Sequence, residues 1–294
     1  MPKCVASNLA LLEASRNPDG GWGYFAGKQS CLEPTVYALL ALSSQPSRGD
    51  LFDRGWRLLK SWELPEGGWR AGAGISQVHW AGSLAVTLYG MRGIYDESFE
   101  RGVRWLMALK GSEGRPVARL AHWIQPHIVE FDAGVTGWPW QEGTSSWVEP
   151  TAHALMALRR AAPHTSVRGV AERIIEGQRM LLDRRCADGG WNYGNRRILG
   201  ADLPSYPETT ALALMALNGN PGVAWGEALG EIERRRRETR SPLARAWLGA
   251  CLLQHCEQCG GEQAKAAAAE PSGGMPDIVV NAVEAIAWDK VSAL

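Results

Sequence analysis

Three copies of one short signature place an acid where a buried helix would begin: Glu33-Pro34-Thr35, Glu149-Pro150-Thr151 and Glu208-Thr209-Thr210. Each leads into an Ala/Leu-rich run, such as Ala38-Leu39-Leu40-Ala41-Leu42 or Ala154-Leu155-Met156-Ala157-Leu158. Aligned two residues before the Thr position, a further copy offers His79, and two degenerate copies offer about Ala244 and Asp277. Desolvation and neighbouring like charge both raise a carboxyl's pKa, so acids gathered in apolar surroundings can donate protons near neutral pH. Glu149 and Glu208 are therefore the candidate general acids, with His79 as a third catalytic candidate. Glu33 and Asp277 complete a ring that would contact a ligand. Four residues further along, the same helix face carries Tyr37, Ser83, His153 and Asn281, which extend the wall inward. Helix-start chemistry explains part of the pattern. A first-turn carboxylate gains about 0.3–1 kcal/mol from the macrodipole, and proline is tolerated there. His79 departs from it, because a cation is disfavoured at a helix start. It must be neutral or paired with an acid.

These residues meet only if the helices carrying them stand side by side. The repeats supply that arrangement. Gly-Trp turns at Trp22, Trp69, Trp138 and Trp191 each precede one apolar run. Self-similarity at about 50 residues marks a repeated supersecondary unit. Within each unit a first helix is amphipathic and Arg-bearing, as in Arg101-Gly102-Val103-Arg104-Trp105-Leu106, and belongs outside. The second is apolar nearly all round and belongs inside. The expected outer–inner pairs are 4–15 with 33–45, 50–62 with 78–91, 97–110 with 149–162, and 167–185 with 207–218. Two degenerate pairs follow, 223–238 with 242–256 and 261–269 with 277–290. The pattern predicts an all-α fold, a single α6/α6 toroid of six helical hairpins forming one domain over residues 1–294. Two irregularities interrupt it. One is an insertion from Gly111 to Val135 with His122, Trp123, Pro126, His127, Glu130 and Asp132; the other is a long loop from Gly194 to Pro207. Insertions on a repeat scaffold map to loops on one face, often the binding face.

Composition narrows the function classes. The 294 residues are 45% apolar and 21% charged with zero net charge, which gives no general pull toward nucleic acid. The run Arg234-Arg235-Arg236-Arg237 is interleaved with Glu231, Glu233 and Glu238 and reads as a solvated helix face. No stretch of 18 apolar residues exists, so no transmembrane segment is expected, while peripheral membrane contact stays open. The start lacks a secretory h-region and six scattered cysteines suggest no disulfide framework, so a cytoplasmic location is expected. Fourteen tryptophans against four phenylalanines suit stacking, an aromatic cavity, or both. The Gly-Trp tryptophans read as structural, whereas Trp80, Trp140 and Trp147 lie nearer the expected mouth and are ligand-contact candidates. Cys251, His255 and Cys259 share one helical face beside Cys256, but a single helix rarely wraps a tetrahedral ion. No metal and no cofactor is expected.

With these motifs in view, the chain resembles the repeat family of squalene–hopene cyclases and protein prenyltransferase β subunits. The likeness covers about residues 5 to 218, and Gln178 through Trp191 is close to that family's Gln-to-Trp repeat. It implies a terpenoid cyclase-like toroid around an apolar, aromatic cavity for an isoprenoid-type ligand. It further implies a class II, protonation-initiated enzyme or a prenyltransferase-like one. The chain departs from both. The triterpene cyclase motif Asp-x-Asp-Asp-Thr-Ala is absent: Trp147 and Pro150 stand around Glu149, and Tyr206 and Thr209 around Glu208. The Asp-x-Cys of zinc prenyltransferases is absent too. Two other readings share the scaffold: a carbohydrate-active toroid with paired carboxyls, and a non-catalytic binding toroid. An enclosed apolar cup favours the first reading, an open polar cleft the second and a filled centre the third.

Overall fold

The computed structural model describes residues 3–124, 128–255 and 276–286. Six apolar helices stand in a ring: α2 (Leu32–Leu42), α4 (Gly82–Met91), α7 (Val148–Ala161), α9 (Pro207–Ala216), α11 (Pro242–Gln254) and α12 (Ile278–Ala285). Each packs on the next, and α12 returns to α2. The second shell holds α1 (Lys3–Ala14), α3 (Gly49–Ser61), α5 (Glu97–Ala108), α8 (Val170–Asp183) and α10 (Trp225–Glu238). These lean across the seams: α3 packs on α2, α8 on α7, and α1 on α2 and α12. The outer helix expected over 261–269 lies outside the described residues, as do Cys256, Cys259 and the last four residues of the expected helix 277–290.

The chain is predominantly helical, as expected, with two local additions to the pattern. Two short antiparallel pairs occur, β1 (Trp138–Pro139) with β2 (Ser146–Trp147), and β3 (Arg197–Ile198) with β4 (Ala201–Asp202). The Gly111–Val135 insertion is not all loop, because it contains α6 (Pro116–Ile124), whose Val117, Leu120, Trp123 and Ile124 are exposed. The insertions at 111–135 and 194–207 also meet. Val129 bridges Ile198, and Leu199 N–H donates to the Ile128 carbonyl at 3.0 Å.

One buried tryptophan per repeat ties outer to inner helix. The indole N–H of Trp22 donates to the Leu12 carbonyl at 2.7 Å, that of Trp138 to Leu106 at 2.8 Å, and that of Trp191 to Leu181 at 2.6 Å. Each meets a carbonyl near the end of an outer helix, where partners within the helix run out, although the Leu181 carbonyl also accepts from Arg184 N–H at 3.1 Å. The backbone N–H of the same residues then donates to Thr35, Thr151 and Thr210 Oγ1 at 3.0, 2.9 and 3.0 Å. Ahead of the indole, Gly20 and Gly67 adopt φ of +97° and +95°, and a side chain there would meet the backbone of Arg54 and Arg101. Trp69 fills the same place, yet its Nε1 is buried without a partner.

That difference predicts a measurable asymmetry. Trp22→Phe strands the buried Leu12 carbonyl, whereas Trp69→Phe removes an N–H that bonds to nothing. Ring loss being equal, Trp22→Phe should cost about 1–3 kcal/mol more in denaturant unfolding. Equal losses in the two variants would remove the clamp as a source of stability.

Candidate functional site

The clamp also fixes where each inner helix begins, and so which residue faces the mouth. The Trp22 ring packs by Gly55 and Leu39, the Trp69 ring by Gly102 and Val86, and the Trp138 ring by Gly177 and Leu155. Leu39, Val86 and Leu155 are therefore equivalent. Thr35, Gly82 and Thr151 follow four residues earlier, and Glu33, Trp80 and Glu149 six residues earlier. Trp80, rather than His79, stands where the other repeats carry Glu. The sixth helix also shifts register. Ile278 N–H donates to the Tyr24 carbonyl as Leu32 does to Ala71 and Val148 to Tyr193. Asp277 is therefore the N-cap of α12, accepting from Val280 N–H at 3.1 Å, and not the equivalent of Glu33. On the same grounds Leu84 and Val283, rather than Ser83 and Asn281, match Tyr37 and His153.

The mouth nonetheless gathers the expected groups. Glu33, Glu149, Glu208, Asp277 and His79 are all partly buried at helix starts. Glu33 and Glu208 each act electrostatically on Glu149, and Asp277 on Glu33. Burial, then the charges of Glu33 and Glu208, push the Glu149 carboxyl up to about 8. It is thus mostly protonated at neutral pH. Burial also raises Glu33; the Tyr24 hydroxyl, donating to its Oε2 at 2.6 Å, opposes the rise, and Asp277 adds to it. Tyr193 donates in the same way to Glu208 Oε1 at 3.2 Å. Burial lowers His79 to about 4, so its imidazole is neutral, and its Nδ1 accepts from Ala81 N–H at 3.3 Å.

Sequence reasoning passed over Tyr24 and Tyr193. The signal was present: both stand two residues after the clamp tryptophan, and the same offset gives Ala71 and Trp140. Tyr24, Ala71 and Trp140, with Glu33, Val78, His79, Trp80 and Gln141, line a cavity of about 440 Å³. That volume lies within the usual range of small-molecule sites, about 300–1,000 Å³. Glu149 is beside this cavity, next to Glu33, rather than in its lining.

Below the mouth the axis is filled. The position six residues after each helix cap holds Tyr37, His153, Leu212, Trp247 and Val283, with Leu84 completing the level, and all are buried. Tyr37 Oη and His153 Nε2 are 3.1 Å apart, and Trp247 sits 5.9 and 5.6 Å from their rings. Trp80 covers this belt, 5.5 Å from His153 and 4.7 Å from Trp140. Tyr37 and His153 are therefore floor rather than accessible wall, and burial holds His153 neutral, near 3. Asn281 is buried, its side-chain amide donating to the Asp277 carbonyl at 2.6 Å. Trp147 lies apart, against Gly194 in a separate cleft of about 150 Å³ shared with Arg184. Among the described residues, no three His, Cys, Asp or Glu are placed to hold a metal, and no helix is long and apolar enough to cross a membrane.

Against known proteins, no family model matches the chain. A drimenyl diphosphate synthase from Streptomyces showdoensis is 27% identical over 217 residues, 72% of this chain and 37% of that protein. The chain thus spans well under half the length of this curated relative. The type II terpene cyclase MstE from Scytonema, solved with its product merosterolic acid A, superposes with a TM-score of 0.63 at 18% identity. That match covers 98% of this chain and 96% of the cyclase. An α-mannanase from Bacteroides thetaiotaomicron gives 0.68 at 9% identity over 98% and 94% of the two chains. The fold is a terpenoid cyclase-like toroid, and the mannanase shows how widely that scaffold is used.

The pH dependence of stability follows from Glu149. Its folded pKa, about 8, lies above the ordinary 4.5. The neutral carboxyl's contribution is therefore full below about pH 4.5 and lost as pH rises through about 8. Glu149→Gln stays neutral throughout. The Tm of this variant relative to the parent should rise steadily between pH 5 and pH 9, and a pH-independent difference would contradict a buried, protonated Glu149.

Proposed function

We propose that this toroid is a class II terpene cyclase-like enzyme whose reaction begins when the Glu149 carboxyl protonates an alkene of an isoprenoid bound at the mouth. The observation that carries this reading is a protonated carboxyl flanked by Glu33 and Glu208 beside a Trp-lined cavity. In the first step the O–H bond of Glu149 breaks and a C–H bond forms, leaving a carbocation and a carboxylate. Ring closure follows as neighbouring alkenes attack the cation. Loss of a proton from the last cation returns the net charge, so the product is an isomer of the substrate. The faces of Trp80 and Trp140 are suited to stabilising the cation. Glu208 and Glu33 hold the donor's proton affinity high, while neutral His79 offers hydrogen bonds without adding positive charge.

The terpenoid relatives support this reading. MstE has been solved with geranylgeranyl dihydroxybenzoate as substrate, and the Streptomyces relative is by name a synthase of drimenyl diphosphate. We read the whole as the six-hairpin α6/α6 toroid, with a hydrophobic small molecule as partner. The exposed apolar side of α6 is the surface through which any membrane contact would be made. The filled axis favours a second reading, a toroid that binds a ligand at its mouth without chemistry, and the same experiment separates the two.

Incubating the protein with polyprenols in deuterium oxide tests both. Cyclised products of unchanged composition should appear, each carrying one deuterium on carbon. Glu149→Gln should lower their formation by about 10²–10⁴-fold, the contribution expected of a general acid. Binding without any cyclised product in the parent protein would favour the non-catalytic reading.

A further inference from the structure

Two clefts of opposite character flank one loop after β1. Gln141 lines the 440 Å³ mouth cavity, and its chain neighbour Glu142 lines a second cleft of about 550 Å³. The polar lining of the mouth cavity is Tyr24, Glu33, Gln77, His79 and Gln141, all neutral hydrogen-bonding groups except the carboxyl. The carboxyls form a chain rather than a cluster: Asp277 acts on Glu33, and Glu33 and Glu208 act on Glu149. Among the described residues, cations line the second cleft and not the mouth cavity. Lys110, Arg115 and Arg119 line the second cleft, where Lys110 pairs with Glu176 at 3.3 Å. Arg115 and Arg119 are exposed there and form no ion pair among the described residues.

A ligand in the mouth cavity therefore touches Glu33 and lies near the further carboxyls that act on Glu33 and on Glu149. A diphosphate there would bring several negative charges against them, with no cation in the lining among the described residues. An alcohol or phenol would instead find amide, imidazole and tyrosine partners. We infer that the mouth cavity takes an uncharged isoprenoid and rejects an isoprenoid diphosphate, unlike the substrate class suggested by the name of the Streptomyces relative. The inference rests on the mouth being the isoprenoid site and adds its selectivity for the polar group. The carboxyls that add to the effect of burial in keeping Glu149 protonated also contribute to this selectivity.

Paired titrations with farnesol and farnesyl diphosphate, followed by quenching of tryptophan fluorescence, test it on the full chain. Farnesol should bind at least about tenfold more tightly at low salt, a gap of one decade in affinity. Raising ionic strength should narrow the gap by screening the diphosphate's repulsion. The double variant Glu208→Gln/Asp277→Asn, which keeps a capping side chain on α12, should narrow it as well. Equal or tighter binding of the diphosphate that persists in Arg115→Ser/Arg119→Ser overturns the inference while leaving the isoprenoid site standing. Loss of that binding in Arg115→Ser/Arg119→Ser places the anion in the second cleft and upholds the selectivity of the mouth. Binding of neither ligand, with the parent Tm unmoved, overturns the isoprenoid reading itself and this inference with it.

Discussion

The architecture depends on a double use of one tryptophan. Its indole satisfies a carbonyl near the end of an outer helix, and its backbone amide meets a threonine hydroxyl in the first turns of an inner one. Both bonds are buried, where an unmet polar group is expensive, so the two helices cannot slide relative to each other without leaving one unmade. Because Thr is held, the residue two positions earlier is held too. That is how Glu33, Glu149 and Glu208 come to stand over one opening although they are far apart in sequence.

The carboxyls then acquire their chemistry from being gathered. A lone first-turn Glu is ordinary helix furniture, stabilised as an anion by the backbone dipoles. Burial first, and then the charges of Glu33 and Glu208, keep the proton on Glu149. The floor matters equally. Tyr37, His153 and Trp247 come from alternate helices of the ring and meet across the axis, with smaller Leu84, Leu212 and Val283 between them. Six large side chains at one level would overfill that space. The ligand space is consequently displaced to the side of the first three repeats.

Much of the fold was legible because the Gly-Trp turns and apolar runs are spaced regularly. The register was harder. Likeness of residue type drew His79 into line with the glutamates, whereas spacing tells the truer story. Thr35, Gly82 and Thr151 each stand 13 residues after their clamp tryptophan, with Gly82 lacking the hydroxyl that made the others recognisable. The fourth repeat breaks the count because β3 and β4 occupy its loop, and the sixth has no clamp tryptophan to count from. Asp277 was attractive as an acid but works as a cap. Tyr24 and Tyr193 were legible from their shared offset, yet their role required knowing that the glutamates face them. The amphipathic pattern of α6 was also present, hidden inside what resembled a loop. Trp147 illustrates the opposite limit, since nothing in its neighbourhood shows that β2 turns it toward Gly194.

The return of α12 onto α2, sealed by the Ile278–Tyr24 bond and by Asn8 donating to Glu284 at 2.9 Å, removes the chain's weakest places. In an open stack the terminal units fray first, since each has one uncovered flank. Here every inner helix has two neighbours. Parting any seam exposes apolar surface on both sides while the others resist, which makes unfolding a concerted event rather than a peeling from one end.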